Sequence, residues 1–216
     1  MRIGTAGWRL PKRFAELFPA EGSHLERYAQ VFPAVEVNSS FYRPHRRGTW
    51  ERWGAAVPAS FRFSAKTPRT LTHERRLEDP GPPLDAFLAE VTGLGERLGC
   101  LLVQMPPSLA CVPAVAERFF AAFRARFAGP LAAEPRHPTW FTPEAEEMLA
   151  HFEVARVAAD PACAPGGDEP GGWRGLAYFR LHGSPRIYYS GYAAEYLDAL
   201  VRRMRAAADD VGDTGG

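Results

Sequence analysis

The feature that most constrains the fold is a polar residue that recurs near the end of successive apolar, alternating segments. In the segment 34–44, Val35 and Val37 fall on one face of an extended strand, whereas Glu36 and Asn38 fall on the other. Later segments repeat this arrangement with Ser64, Lys66, Gln104, Glu134, Arg136, Asp160, Arg180 and His182. Parallel strands that carry polar residues at their carboxyl ends, and that alternate with helices, are typical of a TIM-type α/β barrel with an axial site.

Seven strands are predicted, and they begin at residues 2, 34, 61, 100, 131, 153 and 176. Helical periodicity predicts intervening helices over 24–32, 49–57, 84–98, 115–127 and 193–208, and Thr142 followed by Pro143 marks the start of another. Ser23 and Glu26 have the spacing of a capping box for the first helix. The segment 161–172 contains too much proline and glycine for a helix. It is either a lid over the carboxyl ends of the strands or a simple surface connection.

The carboxyl-terminal residues do not supply an eighth strand. The segment 209–216, DDVGDTGG, is rich in aspartate and glycine, which disfavour strands. We therefore expect a single incompletely closed TIM-like barrel over 1–208, with a gap between the strands 3–8 and 176–182, and a disordered tail over 209–216. Two unpaired strand edges predict self-association.

Composition sets the class of protein. The 216 residues are 46% hydrophobic and 24% charged, which is typical of one globular domain. The formal net charge of +1 gives no reason to expect general attraction to nucleic acid. The first strand leaves no room for a signal peptide, and no apolar run approaches the ~18 residues of a membrane span, so we expect a cytoplasmic protein without a membrane partner.

The polar face of the strands predicts the site. Glu36 and Glu134 lie on well-separated strands and are candidates for an acid and a base, with Lys66 as a helper or electrophile and His182 as a titratable group. Only two of the 26 basic residues are lysines, and burial of an amine lowers its pKa enough for proton transfer or imine formation. The candidate substrate-binding residues are Asn38, Tyr42, Gln104, Arg136, His137, Trp140, Asp160 and Arg180. In the competing interpretation these groups pair with one another as a polar plug.

The arginines at the ends of strands five and seven suit planar recognition of carboxylate or phosphate. The sequence therefore favours an enzyme that uses acid–base chemistry on a small anionic substrate, a phosphorylated or carboxylated metabolite. Two alternatives stay open, a noncatalytic ligand-binding barrel and a nucleic-acid-processing protein. The second is favoured if six arginines form one patch beside the mouth of the barrel, namely Arg43, Arg46, Arg47, Arg69, Arg75 and Arg76.

A divalent metal is the competing site interpretation. Glu134, Asp160 and His182 lie on successive strands and are suitable ligand types, although the neighbouring cations oppose a metal. No cofactor is predicted, because the sequence lacks the P-loop, HExxH, GxSxG and GxGxxG motifs.

Several segments, taken in order, carry a resemblance to a known family. They are IGTAGW, VEVNSSFYR, FRFSAKTPRTLTHERRL, LLVQMPPS, EPRHPTWF and YFRLHG. Together they resemble the YecE-like family, catalogued as domain of unknown function 72, from residue 3 to about residue 202. The resemblance implies a TIM-like barrel and no particular reaction. Members of the family generally continue with a further strand and helix, which this sequence does not show.

Overall fold

The computed structural model describes residues 1–213, and the side chains of residues 1–210. Its strands are β1 (Gly4–Ala6), β2 (Ala34–Val37), β3 (Arg62–Lys66), β4 (Leu98–Gln104), β5 (Leu131–Glu134), β6 (Val154–Arg156), β7 (Ala158–Asp160), β8 (Gly171–Gly172) and β9 (Phe179–Leu181). Its α-helices are α1 (His24–Ala29), α2 (Arg47–Ala55), α3 (Gly81–Val91), α4 (Pro113–Arg124), α5 (Pro143–His151) and α6 (Ala194–Asp213).

The strands form the wall of an α/β barrel. The main sheet has the order β1-β2-β3-β4-β5-β6-β8 and is parallel except for the β6–β8 pair, while β7 and β9 form a second, parallel pair. The predicted sixth strand is interrupted at Val157, so that β6 extends the main sheet and β7 carries the predicted seventh strand. The TIM-like arrangement predicted from the sequence is therefore confirmed.

The wall is open, as the sequence predicted. In the described part of the chain β1 pairs only with β2, and β9 pairs only with β7. The wall nevertheless curls round on itself. The evidence is a contact between β9 and β2, which do not pair as strands: Arg180 Nη2 lies 2.8 Å from Glu36 Oε1. Side chains on the concave face therefore meet across the barrel.

Two apolar layers hold the fold. The larger lies between the strands and the surrounding helices and includes Val35, Phe63 and Trp50, all almost fully buried. The smaller lies inside the barrel, where Leu102, Ala132 and Val157 pack together with the other members of this inner cluster, Cys100, Ala159, Leu176 and Tyr178. The inner cluster fills the lower part of the barrel, so the charged residues at the strand ends lie above an apolar floor.

Local sequence signals explain how several helices begin. The Ser23 side chain accepts from the Glu26 amide, and the Glu26 carboxylate accepts from the Ser23 amide, which confirms the predicted capping box. Thr142 caps α5, with Pro143 at its first position, as predicted.

The structure corrects two predicted segments. The helix predicted to end at residue 208 continues to Asp213, so the first part of the predicted disordered tail is helical, and residues 214–216 lie outside the described residues. The segment 161–172 contains no helix, but its last two residues form β8. β8 pairs with β6, and the Gly172 amide donates to the Glu146 carboxylate of α5. The end of the candidate lid is therefore attached to the wall.

None of the helices within residues 1–213 combines the length and the apolar character that a membrane span requires.

Candidate functional site

Arg180 is the centre of a buried ion-pair network inside the barrel. Its Nε and Nη2 donate to the two carboxylate oxygens of Glu36, at 3.0 and 2.8 Å, in a bidentate pair. Its Nη1 donates to Glu134, so one guanidinium joins carboxylates from two separate strands. The three side chains are 10% exposed or less. Arg180 therefore links the open end of the wall to its middle.

Glu134 has a second arginine and a histidine beside it. Arg136 donates to Glu134 Oε1 from Nε and Nη2, at 3.1 and 2.9 Å, and its side chain is 29% exposed. Its Nη1 has no hydrogen-bond partner among the described residues, so Arg136 is the guanidinium of the cluster that can also contact a ligand. His182 Nε2 lies 3.1 Å from Arg180 Nη1 and 3.8 Å from Glu134 Oε1.

The surroundings of His182 define its protonation. Burial lowers its pKa, Arg180 and Arg136 lower it further, and Glu134 opposes them. A guanidinium only donates, so Nε2 accepts from Arg180 and Nδ1 carries the proton toward the carbonyl of Asp160, 3.3 Å away. His182 is therefore assigned as a neutral ring that orients Arg180.

Electrostatics hold Arg180 in its charged form. Burial alone would lower the pKa of this guanidinium, but Glu134 and Glu36 raise it above the ordinary value. Removing water from three charges is costly, and such a group is stable only when each charge has close, well-oriented partners. The carboxylates of Glu36 and Glu134, predicted as acid and base, are thus engaged in positioning Arg180. This part of the cluster has the pairing expected of a polar plug.

Tyr178, which is not among the predicted site residues, joins the network from below. Its hydroxyl lies 2.9 Å from Glu36 Oε2, to which it donates, and 2.7 Å from the Ser64 hydroxyl. Burial and the nearby Glu36 carboxylate raise its pKa well above the ordinary value, so it stays protonated. Its alternation with Arg180 and His182 in the predicted strand was a signal that placed it on the same face.

Lys66 is the cation of the site that has no acidic partner. It lies at the end of β3, its residue is 4% exposed, and no carboxylate is within ion-pair distance of Nζ in the described part of the chain. The amine sits over the ring of Phe41, 3.8 Å from the ring centre. Burial lowers the pKa of Lys66 to about 8, and Arg180 also lowers it, whereas Glu134 and Glu36 oppose the shift.

The contact with Phe41 does not reverse this shift. A ring face favours an ammonium by roughly 0.5–2 kcal/mol. Burial of a charge costs several kcal/mol when no partner compensates it. The loss of water therefore dominates, and the pKa of Lys66 stays below its ordinary value.

His73 also reaches the site, from the short π-helical turn Thr70–Glu74 after β3. Its ring meets Phe41 edge to face, with the ring centres 4.9 Å apart, and its Nδ1 lies 2.8 Å from the Thr72 hydroxyl. Burial lowers its pKa, and the neighbouring Lys66 lowers it further. Single π-helical turns are frequent at functional sites. Only the folding of the loop onto Phe41 identifies this residue as part of the site.

Asn38 and Gln104 lie at strand ends as predicted. Gln104 is in register with Glu134 on the neighbouring strand, so its side chain belongs to the same face of the sheet. Asn38 follows β2, and its Oδ1 is buried without a hydrogen-bond partner.

Asp160 does not face the axis, which corrects its placement among the site residues. In the β7–β9 pair it is in register with Leu181, while Ala159 is in register with the inward-facing Arg180. Side chains alternate between the two faces of a sheet, so Asp160 points outward. Arg156 has the same parity and pairs with Glu146 on α5, outside the barrel.

Three other predicted binding residues are also absent from the cluster. Trp140 is fully buried in the outer core, and its indole nitrogen donates to the Leu109 carbonyl, 2.9 Å away. His137 accepts from the Thr139 amide at the start of a short 3-10 turn. Tyr42 is exposed and touches Phe41 edge to face. The structure thus gives packing to Trp140 and capping to His137.

The ligand set considered for a metal is not assembled. Asp160 faces away from Glu134 and His182. In the described part of the chain, no three His, Cys, Asp or Glu side chains form a group that could hold a metal ion.

The arginines considered for nucleic acid binding have other partners. Arg47 pairs with Glu51, and Arg69 pairs with Glu74. Arg75 donates to the Asp79 carbonyl and Arg76 to the Ser108 carbonyl. Four of the six guanidiniums are therefore engaged by neighbouring groups, and this observation does not favour a nucleic-acid interface.

Known proteins resemble this chain over most of its length. The family model described as "Protein of unknown function DUF72" matches residues 2–214. The UPF0759 protein YunF of Bacillus subtilis is 28% identical over 174 residues, which are 78% of this chain and 60% of YunF. The UPF0759 protein YecE of Escherichia coli is 30% identical over 126 residues, 57% of this chain and 45% of YecE. The matched part of the chain thus spans about half the length of these curated relatives.

Solved structures share the fold. A DUF72 family protein of Thermotoga maritima has a TM-score of 0.75 and 24% identity, with 97% of this chain and 88% of that chain covered. A DUF72 family protein of Enterococcus faecalis has a TM-score of 0.74 and 22% identity, with coverage of 97% and 86%. At this level of identity the comparison supports the α/β architecture alone.

Proposed function

Because the chain belongs to the DUF72 family of proteins of unknown function, we propose its function from the geometry of its own site. The proposal is an enzyme that binds a small anionic substrate, carboxylated or phosphorylated, at the carboxyl ends of the strands. Lys66 transfers the proton, and Arg136 contacts the anion. Glu36, Glu134 and Arg180 form the rigid charged frame that holds these groups.

The observation that carries the proposal is the unpaired amine of Lys66. A buried ammonium that served only stability would have a carboxylate partner, as Arg180 has in Glu36 and Glu134. Lys66 instead has an aromatic face and a pKa of about 8. A pKa close to the working pH suits a group that both accepts and donates a proton.

Anion binding is tested with thermal unfolding. Phosphate or sulfate should raise the melting temperature more than chloride at equal ionic strength, because a ligand that binds only the native state shifts unfolding by mass action. An anion at about a hundred times its Kd stabilises by about 2.7 kcal/mol, or roughly 5–11 °C for a chain of this size. Arg136→Met should remove the difference between the salts, because it removes the guanidinium that contacts the anion. The charged frame should stay in place in this variant, because Glu134 keeps Arg180 as a partner.

The matched control is Arg47→Met, which removes an exposed arginine outside the cluster. An equal response of the native protein to all three salts, or a response that survives in Arg136→Met, contradicts the proposed anion site. The contribution of Lys66 to anion binding is tested by pH, with sulfate as the anion because its charge does not change in this range. The stabilisation by sulfate should weaken as the pH rises through about 8 and Lys66 loses its charge, and Lys66→Met should abolish this pH dependence.

A further inference from the structure

The chain has only two amines on lysine side chains. Of its 26 basic side chains, Lys12 and Lys66 are the lysines and the others are arginines. Lys12 is exposed, whereas Lys66 is buried at the end of β3 inside the barrel. Any chemistry that needs a lysine nitrogen inside this barrel therefore falls on a single residue.

The surroundings of Lys66 make its nitrogen available as a nucleophile. An amine attacks a carbonyl carbon only with its lone pair free, in the neutral form. At a pKa of about 8, half of the Lys66 amines are neutral at pH 8, whereas an ordinary lysine is neutral in roughly 0.4% of molecules. No carboxylate of the described residues holds the nitrogen as an ion pair, and the flat ring of Phe41 forms one wall beside it.

We propose that Lys66 forms an imine with a small aldehyde or ketone that also carries a carboxylate or phosphate, held by Arg136. This inference rests on the proposed function and names the class of its substrate. The contacts that support it are the unpaired amine on the wall of Phe41 and the partly exposed guanidinium of Arg136 in the same cluster.

The chemical step balances without an oxidant or a metal. The lone pair of Nζ attacks the carbonyl carbon, and the electrons of the C=O π bond move to oxygen, which takes a proton. The nitrogen loses one proton, which gives the carbinolamine. The carbinol oxygen takes a second proton and leaves as water while the nitrogen lone pair forms the C=N bond, and the resulting iminium loses its remaining N–H proton to give the imine. The sum is amine plus carbonyl giving imine plus water.

Two features of the cluster fit this step. His73 is a neutral imidazole that packs against the same Phe41 ring, and its Nε2 has no hydrogen-bond partner among the described residues, so it is placed to relay the protons. A protonated imine carries the same single positive charge as the ammonium it replaces. The network of Glu36, Glu134 and Arg180 therefore needs no rearrangement when the imine forms.

Reductive trapping tests the inference on the whole chain. The protein is incubated with glyoxylate, a small aldehyde with a carboxylate, and sodium cyanoborohydride at about pH 8, and peptide mapping by mass spectrometry measures carboxymethylation at each lysine. We expect Lys66 to be modified roughly tenfold or more faster than Lys12, because the neutral fraction of Lys66 at this pH exceeds that of an ordinary lysine by more than tenfold. Acetaldehyde, which lacks the anionic group, should show a smaller preference for Lys66.

The variants define the outcome. Lys66→Met should lose the carboxymethyl group at position 66, and Lys12→Arg should keep it. In Arg136→Met, the preference of glyoxylate for Lys66 over Lys12 should fall to the preference that acetaldehyde shows. If Lys66 is not modified, or is modified more slowly than Lys12, in protein whose circular dichroism is native, the inference is overturned. If glyoxylate and acetaldehyde show the same preference for Lys66 over Lys12, the anionic substrate class is overturned. If phosphate still raises the melting temperature through Arg136 while Lys66 stays unmodified, only the imine step fails. If neither effect is present, the proposed function fails as well.

Discussion

Replacement of Arg180 with methionine should be one of the most destabilising single changes in this barrel. The substitution keeps an extended side chain but leaves the carboxylates of Glu36 and Glu134 buried without their shared cation. Removing one partner of a buried pair costs about 3–5 kcal/mol, because the remaining charge has neither water nor a counter-charge. Glu134 keeps Arg136, so most of the loss falls on Glu36, whose remaining partner is the Tyr178 hydroxyl.

Equilibrium unfolding in urea, followed by circular dichroism, measures this loss. The double variant Arg180→Met with Glu36→Gln should recover part of the stability, because it removes the uncompensated charge, and the double-mutant cycle isolates the coupling between the two side chains. Arg47→Met is the matched control. Its ion pair with Glu51 joins two side chains that are each more than half exposed, and such a pair contributes about 0.3–0.5 kcal/mol. A loss for Arg180→Met no larger than that of the control, or no recovery in the double variant, would refute the account of the network.

The thiols and the open wall give two further predictions. Burial raises the pKa of Cys100 to about 12. A disulfide reagent at neutral pH should therefore modify the exposed Cys163 in the native protein and reach Cys100 only after unfolding. Rapid reaction of Cys100 in the native protein would contradict its placement in the inner cluster. The free edges of β1 and β9 should cause self-association that increases with protein concentration in light scattering, and a monomer at every concentration would argue against it.

The sequence predicted the charged frame because one simple rule holds for most of the strands. Alternation has a period of two, and on β2, β3, β5 and β9 the polar parity faces the axis. Glu36, Glu134 and Arg180 were therefore assigned to one face correctly. Which of them pair could not be predicted, because the contact between β2 and β9 depends on how far the sheet curls.

The same rule is wrong on the sixth predicted strand. Its polar residues, Arg156 and Asp160, share a parity that faces outward, and the inward positions are taken by Val157 and Ala159 of the inner cluster. A charged residue on a strand forms an ion pair on whichever face of the sheet a partner lies. For Arg156 that partner is Glu146 on α5. Alternation alone does not distinguish a helix partner from a site inside the barrel.

Aromatic residues at strand ends were the other source of error. Trp140 is predicted to bind substrate, yet it packs fully inside the outer core, because the turn after β5 directs it toward Leu109. His73 is not among the predicted site residues, and it joins the site through a contact with Phe41 that no local pattern encodes. Packing across distant segments decides both cases.

The pKa of the Lys66 amine is the most direct test of the central claim. With only two lysines, protein labelled with 13C-lysine gives two Cε resonances, and Lys66→Met and Lys12→Arg assign them. The account predicts that the Lys66 resonance titrates at about pH 8, well below the ordinary value of about 10.4, because Lys66 is buried and no carboxylate among the described residues pairs with it. A Lys66 resonance that titrates near 10.4 in the folded protein would contradict the claim that this barrel holds a reactive amine.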